Sequence, residues 1–231
     1  LSNNKTLYDW KTHGSVPDIN TATAVSCNIA FAKIALELKP SDLMANLKQF
    51  GFNSQLSDAF EPLPLGKILD GDGSDDYLAH LSIGLNYVQM TPLHEALLAA
   101  SVANHGVAMT PTLLLERRNI IGTPYNVRTP VELGRFMSEQ TASTISMAMQ
   151  QVVLNADGTG RRAAIDNFPF AMKTGTAGEG TNGYNAVVIG FAPVPDPKIA
   201  FAIFLEHAGK AEFEGARVTK LFLQSVQGYI K

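Results

Sequence analysis

The sequence has few of the features that mark disulfide-stabilised, membrane-spanning or nucleic-acid-binding proteins. It contains one cysteine in 231 residues, which excludes an internal disulfide and a multi-cysteine metal site. No apolar run approaches the roughly 20 residues that cross a bilayer, and no charged-then-apolar segment opens the chain. The net charge is −3 with no run of lysine or arginine, so nucleic acid is not expected as a partner.

The 45% apolar content of this length of chain is enough to bury a substantial core, and we expect one domain over residues 1–231. Most of the chain has apolar residues at helical spacing, but the last third changes to strand-like runs separated by turn residues. The pattern indicates an α+β fold, with helices packed on an antiparallel sheet. The predicted helices lie in 18–38 (helix, turn, helix), 41–50, 91–104, 138–154 and 212–229, the strands in 168–176, 184–192 and 198–206, and a loop in 61–76.

The candidate site begins with Lys173-Thr174-Gly175-Thr176, at the end of the first of these strands. Because strand side chains alternate, Thr174 and Thr176 are expected to share one side, and Gly175 removes bulk that would keep a ligand away. Lys173 supplies a positive charge that can attract a terminal carboxylate. The backbone N–H of Thr176 can contribute to an oxyanion hole.

A second candidate segment, Ser26-Cys27-Asn28, lies between two predicted helices. On an extended turn, Ser26 and Asn28 would project into one cleft while Cys27 points into the body of the protein. Serine can relay a proton, and asparagine can donate and accept hydrogen bonds. Taken alone, a Ser-x-Asn step is usually a helix cap and a Lys-Thr-Gly-Thr run is usually a strand entering a turn.

The sequence around the two segments indicates what they do. Together with several other segments in the same order, they resemble the transpeptidase domain of class B penicillin-binding proteins, over almost the whole chain. The segments that carry the resemblance are 25–31, 81–84, 90–93, 103–111, 157–160, 173–177 and 190–193.

The resemblance implies the penicillin-binding transpeptidase and serine β-lactamase-like fold, and a D,D-transpeptidase that cross-links peptidoglycan stem peptides ending in D-Ala-D-Ala. It also implies acylation by β-lactams, no metal or other cofactor, and a position on the outer face of the bacterial membrane behind an N-terminal anchor. Ser26 would assist proton transfer, and Asn28 would hold the peptide amide. Lys173, Thr174 and Thr176 would bind the carboxylate. Elongation, division and sporulation roles all stay open.

The family's nucleophile belongs to a Ser-x-x-Lys box a few dozen residues before the position of Ser26. The one literal match, Ser2-Asn3-Asn4-Lys5, lies too close to Ser26 and lacks a helical apolar context, so we interpret it as surface. We therefore expect a transpeptidase domain truncated on its N-terminal side and inactive alone. Apolar surface exposed by the truncation would favour a homodimer.

Other interpretations of the same residues stay open. One is a non-catalytic relative, either a β-lactam-sensing receptor domain or a pseudoenzyme scaffold. Another is a serine β-lactamase, which the sequence of residues 91–111 disfavours. His94-Glu95 lacks the second histidine of a zinc helix, and the acidic loop 70–76 lacks the closing glutamate of a calcium-binding EF-hand. No metal ligand set is predicted.

Overall fold

The computed structural model describes residues 6–56, 63–125, 127–178 and 183–230. Its α-helices are α1 (Ile19–Val25), α2 (Asn28–Glu37), α3 (Pro40–Gln49), α4 (Asp75–Ser82), α5 (Pro92–Ala103), α6 (Glu139–Leu154) and α7 (Ala216–Val226). Its strands are β1 (Gln55–Leu56), β2 (Leu63–Pro64), β3 (Lys67–Ile68), β4 (Val88–Gln89), β5 (Val107–Met109), β6 (Arg117–Arg118), β7 (Pro124–Tyr125), β8 (Glu132–Arg135), β9 (Ala171–Ala177), β10 (Asn185–Ala192) and β11 (Ile199–Leu205). The sheet and helices confirm the α+β prediction.

The main sheet consists of β9, β10 and β11 in the antiparallel order β11-β10-β9, with Val188 of β10 opposite both Thr174 and Ile203. Strand β9 lies at one edge of this sheet. The other strands form short two-stranded ladders that pair β1 with β2, β3 with β4, β5 with β8, and β6 with β7.

Helices cover both faces of the main sheet. Met172 and Val188 point into a core shared with Leu223 of α7, whereas Ala171 and Phe191 point into a second core built with α5 and α6. Neighbouring residues of one strand point to opposite faces, so the alternation within β9 and β10 supplies both cores. None of the helices in the described ranges is long and apolar enough to cross a membrane.

Most of the predicted long elements are confirmed. Thr91 is the N-cap of α5, with its side chain accepting from the His94 N–H, and Ser138 caps α6 in the same way. The helix, turn and helix predicted for 18–38 correspond to α1 and α2. Strands β9, β10 and β11 match the predicted meander, although β9 begins three residues later than expected.

The predicted starts of two helices are wrong. Helix α3 begins at Pro40 rather than at 41, because proline suits the first helical position and Lys39 is the N-cap. Helix α7 begins at Ala216 rather than Glu212, because the preceding residues form a separate π-helical turn, Ala211–Gly215. The stretch 61–76, predicted as loop, contains β2, β3 and the start of α4 in its described part.

His94 connects α5 to the end of α3 and to the segment before β3. Its side chain is fully buried, with Nδ1 accepting from the Gly66 N–H at 2.9 Å and Nε2 facing the Phe50 carbonyl at 2.7 Å. These partners identify a neutral ring protonated on Nε2. The Phe52 ring lies edge-on to the imidazole, with the ring centroids 4.7 Å apart.

We expect His94→Ala to lower the free energy of unfolding by about 2–4 kcal/mol, because a cavity forms and two buried backbone groups lose their partner. Burial lowers the pKa of His94 below its ordinary value. The unfolded chain then binds more protons below about pH 6.5, so the contribution of His94 to stability is lost as the pH falls through that range. Urea unfolding at pH 5–8 measures both effects.

The matched control is His105→Ala, because the His105 side chain is 76% exposed. That variant should unfold like the wild-type protein at every pH. A His94→Ala variant of wild-type stability would contradict the role of this ring as a structural link.

Candidate active site

Ser26 and Lys173, distant in sequence, form a direct contact. The Lys173 Nζ donates to the Ser26 Oγ at 2.8 Å. Ser26 is the C-cap of α1 and adopts a left-handed conformation, with φ 57° and ψ 52°. The predicted extended turn is therefore wrong for Ser26, because the chain reverses at this residue to begin α2. The structure thus brings together two of the residues predicted for the site, Ser26 and Lys173.

A buried pair of threonine hydroxyls holds the two sides of this contact together. Thr174 donates to the Thr159 Oγ1 at 2.6 Å, and the Thr159 hydroxyl is 3.4 Å from the Ala24 carbonyl. The Thr159 N–H also donates to the Ala24 carbonyl, at 3.0 Å. Thr159 thus connects strand β9 to α1, in addition to the contact between Lys173 and Ser26.

Thr159 occupies this position because its two neighbours are glycines. A Cβ on Gly158 would lie 2.4 Å from the Val152 carbonyl oxygen, and a Cβ on Gly160 would lie 2.9 Å from the Met172 sulfur. Both separations are shorter than real contacts. The structural role of the 157–160 segment therefore comes from its close approach to α6.

The Lys173 ammonium lies in a water-poor position. Desolvation by burial lowers the pKa of Lys173 to about 8. The ammonium donates to the Thr174 carbonyl at 2.8 Å as well as to Ser26, and no carboxylate in the described part of the chain pairs with it. Its positive charge is therefore available to a negatively charged ligand.

Thr176 and Gly175 lie at the open end of β9. The Thr176 Oγ1 accepts from the Ala211 N–H at 3.1 Å, which leaves its hydroxyl proton free to donate. A Cβ on Gly175 would meet nothing closer than the Val187 Cβ at 3.7 Å, so the fold itself does not require glycine there. Because β9 is an edge strand of the described sheet, part of its backbone is free to pair with an extended ligand.

Thr174 differs from its predicted position. It is 7% exposed, and its hydroxyl is donated to Thr159. The expectation that Thr174 and Thr176 both present hydroxyls on one open side is therefore wrong for Thr174, because its side chain faces the junction with α1.

Asn28 begins α2, and its Nδ2 donates to the Tyr8 carbonyl at 3.4 Å. Cys27 is buried, as predicted, and caps α2 by accepting from the Ala30 N–H. Burial raises the pKa of the Cys27 thiol, and the nearby Asp9 carboxylate raises it further. The thiol is therefore a structural group rather than a nucleophile at neutral pH.

Asp9 joins Cys27 and His13 in a cluster that sequence reasoning missed. The Asp9 Oδ2 lies 3.1 Å from the His13 Nε2 and accepts from the Cys27 Sγ at 3.5 Å, and its Oδ1 accepts from the Ile29 N–H. Carboxylate, imidazole and thiolate are donors that Zn²⁺ accepts, and the three ligand atoms lie within 4.8 Å of one another. The mutual hydrogen bonds account for the closeness without an ion. No regular motif spacing signals this group.

The segment that carries Asp9 also lies beside the contact between Ser26 and Lys173. The Trp10 Nε1 donates to the Val25 carbonyl at 3.2 Å, directly before Ser26. Lys11 pairs with Glu212 at 3.4 Å, beyond β9. Residues 8–13 therefore contact both sides of the site, which no sequence pattern indicated. The Ser2-Asn3-Asn4-Lys5 match lies outside the described residues.

Comparison with known proteins identifies relatives of this arrangement. The family described as "Penicillin binding protein transpeptidase domain" matches residues 1–227. The peptidoglycan D,D-transpeptidase PbpA of Mycolicibacterium smegmatis is 34% identical over 204 residues, which are 85% of this chain and 40% of that protein. Stage V sporulation protein D of Bacillus subtilis is 27% identical over 207 residues, 82% of this chain and 30% of that protein.

Solved structures of penicillin-binding proteins are similar to this chain in fold. The imipenem acyl-enzyme of penicillin-binding protein A from M. tuberculosis has a TM-score of 0.79 at 26% identity and covers 90% of this chain and 47% of that one. The D,D-transpeptidase domain of a peptidoglycan glycosyltransferase from Eggerthella lenta has a TM-score of 0.79 at 28% identity, over 90% and 53% of the two chains. The chain spans about 40% of the length of the PbpA relatives.

We expect Lys173→Met to change how stability depends on pH. The pKa of Lys173 is about 8 in the folded protein and about 10.4 when unfolded, so the unfolded chain binds more protons between these values. The wild-type protein should therefore gain about 1–3 kcal/mol relative to Lys173→Met as the pH rises from 7.5 to 10.5. Denaturant unfolding of both proteins across this range measures the difference.

Lys198→Met is the control, because Lys198 is exposed and pairs with Asp196 at the other end of the sheet. Its stability relative to wild type should stay nearly constant with pH. A constant difference for Lys173→Met would show that its ammonium is as well solvated as a surface lysine.

Proposed function

The chain belongs to the class B penicillin-binding protein transpeptidase family, and from this premise we propose that its cleft binds the D-Ala-D-Ala end of a peptidoglycan stem peptide. The same cleft would bind β-lactams, whose shape mimics that end. The contact between Lys173 and Ser26, beside the edge strand β9, is the observation that carries this proposal. It joins a hydroxyl to an ammonium that no carboxylate of the described residues pairs, next to a backbone edge that suits an extended peptide.

The proposed reaction is acyl transfer by a D,D-transpeptidase. A serine of a Ser-x-x-Lys box attacks the carbonyl of the penultimate D-alanine, and the terminal D-alanine leaves as an amine. An amine of a neighbouring stem peptide then attacks the acyl-enzyme, which forms the cross-link and frees the serine. Ser26 would pass a proton to the leaving amine, because its hydroxyl accepts a hydrogen bond from Lys173 and keeps its own proton available.

The proposed substrate contacts are made by groups whose charge or hydrogen-bonding capacity is not used within the described protein. Lys173 supplies charge and Thr176 a free hydroxyl proton to the terminal carboxylate, and the Thr176 N–H contributes to the oxyanion site. Gly175 leaves room for the peptide, and Asn28 holds its amide. Thr174 contributes differently from the first expectation, because its hydroxyl holds β9 against α1 instead of meeting the carboxylate.

The nucleophile is the part of this chemistry that we do not assign to residues 1–231. The only Ser-x-x-Lys in the sequence is Ser2 to Lys5, 24 positions before Ser26. We propose that residues 1–231 belong to one transpeptidase domain that acts at the bacterial cell envelope. The 231-residue chain is inactive alone in this proposal. The alternative is a β-lactam-sensing receptor or a pseudoenzyme scaffold, which would bind the same ligands through the same groups without turning them over.

The 231-residue chain should form no covalent adduct with a reporter penicillin, because Ser26 has no basic partner: Lys173 donates to it as an ammonium. A longer chain that includes the family's box should form one, and Lys173→Ala in that protein should slow acylation about 10- to 150-fold, the effect of losing one charge-assisted contact. Intact-mass spectrometry over time measures both.

Lys198→Ala is the control in the longer protein and should acylate at the wild-type rate. An adduct on Ser2 or Ser26 would contradict the assignment of the nucleophile. Equal rates for Lys173→Ala and Lys198→Ala would contradict the role of Lys173. Stable β-lactam binding without acylation in the longer protein would support the receptor alternative.

We also propose that the 231-residue chain self-associates. Strand β9 offers an unpaired edge in the described sheet, and a group of apolar side chains around β6 and β7 lies almost fully in solvent. These are Leu113, Leu115, Ile120 and Ile121. Edges and apolar patches of this kind favour pairing with a second copy.

Light scattering after gel filtration at micromolar concentration should therefore report a dimer. Replacing Ile120 and Ile121 with lysine should shift the equilibrium toward monomer if the apolar group contributes. A wild-type monomer that binds no hydrophobic dye would contradict the proposal.

A further inference from the structure

A second basic group lies at the mouth of the cleft, separate from Lys173. The Lys210 Nζ is 5.8 Å from the centroid of the Trp10 ring and 5.7 Å from that of Tyr184. Both distances are within the range of attraction between a cation and an aromatic face. Two rings from distant parts of the chain therefore hold one exposed ammonium group.

The backbone around Lys210 is fixed to the end of β9. The Gly209 N–H donates to the Tyr184 carbonyl at 3.0 Å, and the Ala211 N–H donates to the Thr176 Oγ1 at 3.1 Å. The Lys210 carbonyl accepts from the Glu214 N–H in the first turn of the π-helical segment. Lys210 is thus held next to Thr176, although its side chain is exposed.

The Trp10 ring, which lies against Lys210, is fixed to the α1 side of the site. Its indole N–H donates to the Val25 carbonyl, directly before Ser26, so the ring is anchored to the α1 side of the cleft. Lys210 and Tyr184 belong to the sheet side. The ammonium therefore lies where the two sides of the cleft approach each other at the open end of β9.

Lys210 carries a charge that no carboxylate of the described residues offsets. Lys11, which also lies over Trp10 at 4.6 Å, is paired with Glu212. Glu214, the next carboxylate along the π-helical turn, is paired with Arg217. Among the described residues the contacts of the Lys210 ammonium are with the two rings and not with a carboxylate, so its charge is available to an anion.

The direction of β9 indicates which part of a ligand would reach Lys210. A peptide that pairs antiparallel with β9 and has its C-terminal carboxylate at Lys173 runs its earlier residues toward Ala177. Each residue of an extended chain advances about 3.3 Å, so the residue before D-Ala-D-Ala, two positions from the terminus, lies opposite Gly175 and beside Thr176. That is the end of β9 at which Lys210 is held.

We propose that Lys210, with Trp10 and Tyr184, forms a subsite for a carboxylate carried by the residue that precedes D-Ala-D-Ala. This inference rests on the proposed function, because it takes the direction of the bound peptide from it. The subsite selects acidic over neutral donor peptides, and it acts through binding rather than through the acyl-transfer step. Lys210 is a specificity-determining residue in this scheme.

The test compares two peptides that differ in one group, acetyl-L-Glu-D-Ala-D-Ala and acetyl-L-Gln-D-Ala-D-Ala. NMR titration of the 231-residue protein gives both dissociation constants. The wild-type protein should bind the Glu peptide roughly 3- to 10-fold more tightly, as expected for one charge-assisted contact at an exposed site, and salt should reduce this preference.

Lys210→Gln should abolish the preference and leave the affinity for the Gln peptide unchanged, whereas Lys210→Arg should keep the preference, since arginine retains the charge and also stacks on aromatic rings. Lys198→Gln, at the opposite end of the sheet, should behave as wild type. Equal affinities of the wild-type protein for both peptides, or a preference that survives Lys210→Gln, would overturn this inference alone. Failure of both peptides to bind would overturn the proposed function together with it.

Discussion

Strand β9 and helix α1 meet across some 150 residues of sequence, and the hydroxyls of Thr174 and Thr159 connect them. Each hydrogen bond contributes about 1 kcal/mol, but their position matters more than their sum. They lie one residue from Lys173 on one side and two residues from Ser26 on the other. Because both hydroxyls are buried, sliding β9 along α1 would leave unpaired polar groups. The contact between the ammonium and the serine hydroxyl depends on this connection.

The electrostatics of the cleft follow from the same packing. Burial lowers the pKa of Lys173, and no carboxylate in the described chain offsets its charge. A charge kept in this state costs stability, and a bound carboxylate would recover that cost. Lys210 represents the opposite arrangement, since its ammonium stays in water against two rings and its interactions are screened by salt. The cleft therefore combines one desolvated cation with one solvated cation.

Local sequence patterns predicted the elements that depend on local interactions. Thr91-Pro92 and Ser138 begin helices through capping, and the strands of the main sheet follow from their apolar runs. The prediction was wrong where tertiary structure decides: Ser26 is left-handed because the chain reverses there between α1 and α2, and Thr174 faces inward because it donates to Thr159. The cluster of Asp9, His13 and Cys27 matches no sequence motif, because the fold and not a regular sequence spacing brings Asp9 and Cys27 together.

Gly175 separates the demands of folding from those of binding at one position. Its backbone is ordinary strand, and a Cβ there would touch only Val187 at a comfortable distance. Alanine is therefore compatible with the folded protein, so selection for a stable chain would not by itself keep glycine at this position. Any pressure that does keep it must come from whatever lies along β9. A glycine at this position is therefore explained by the room it leaves for a ligand and not by the packing of β9.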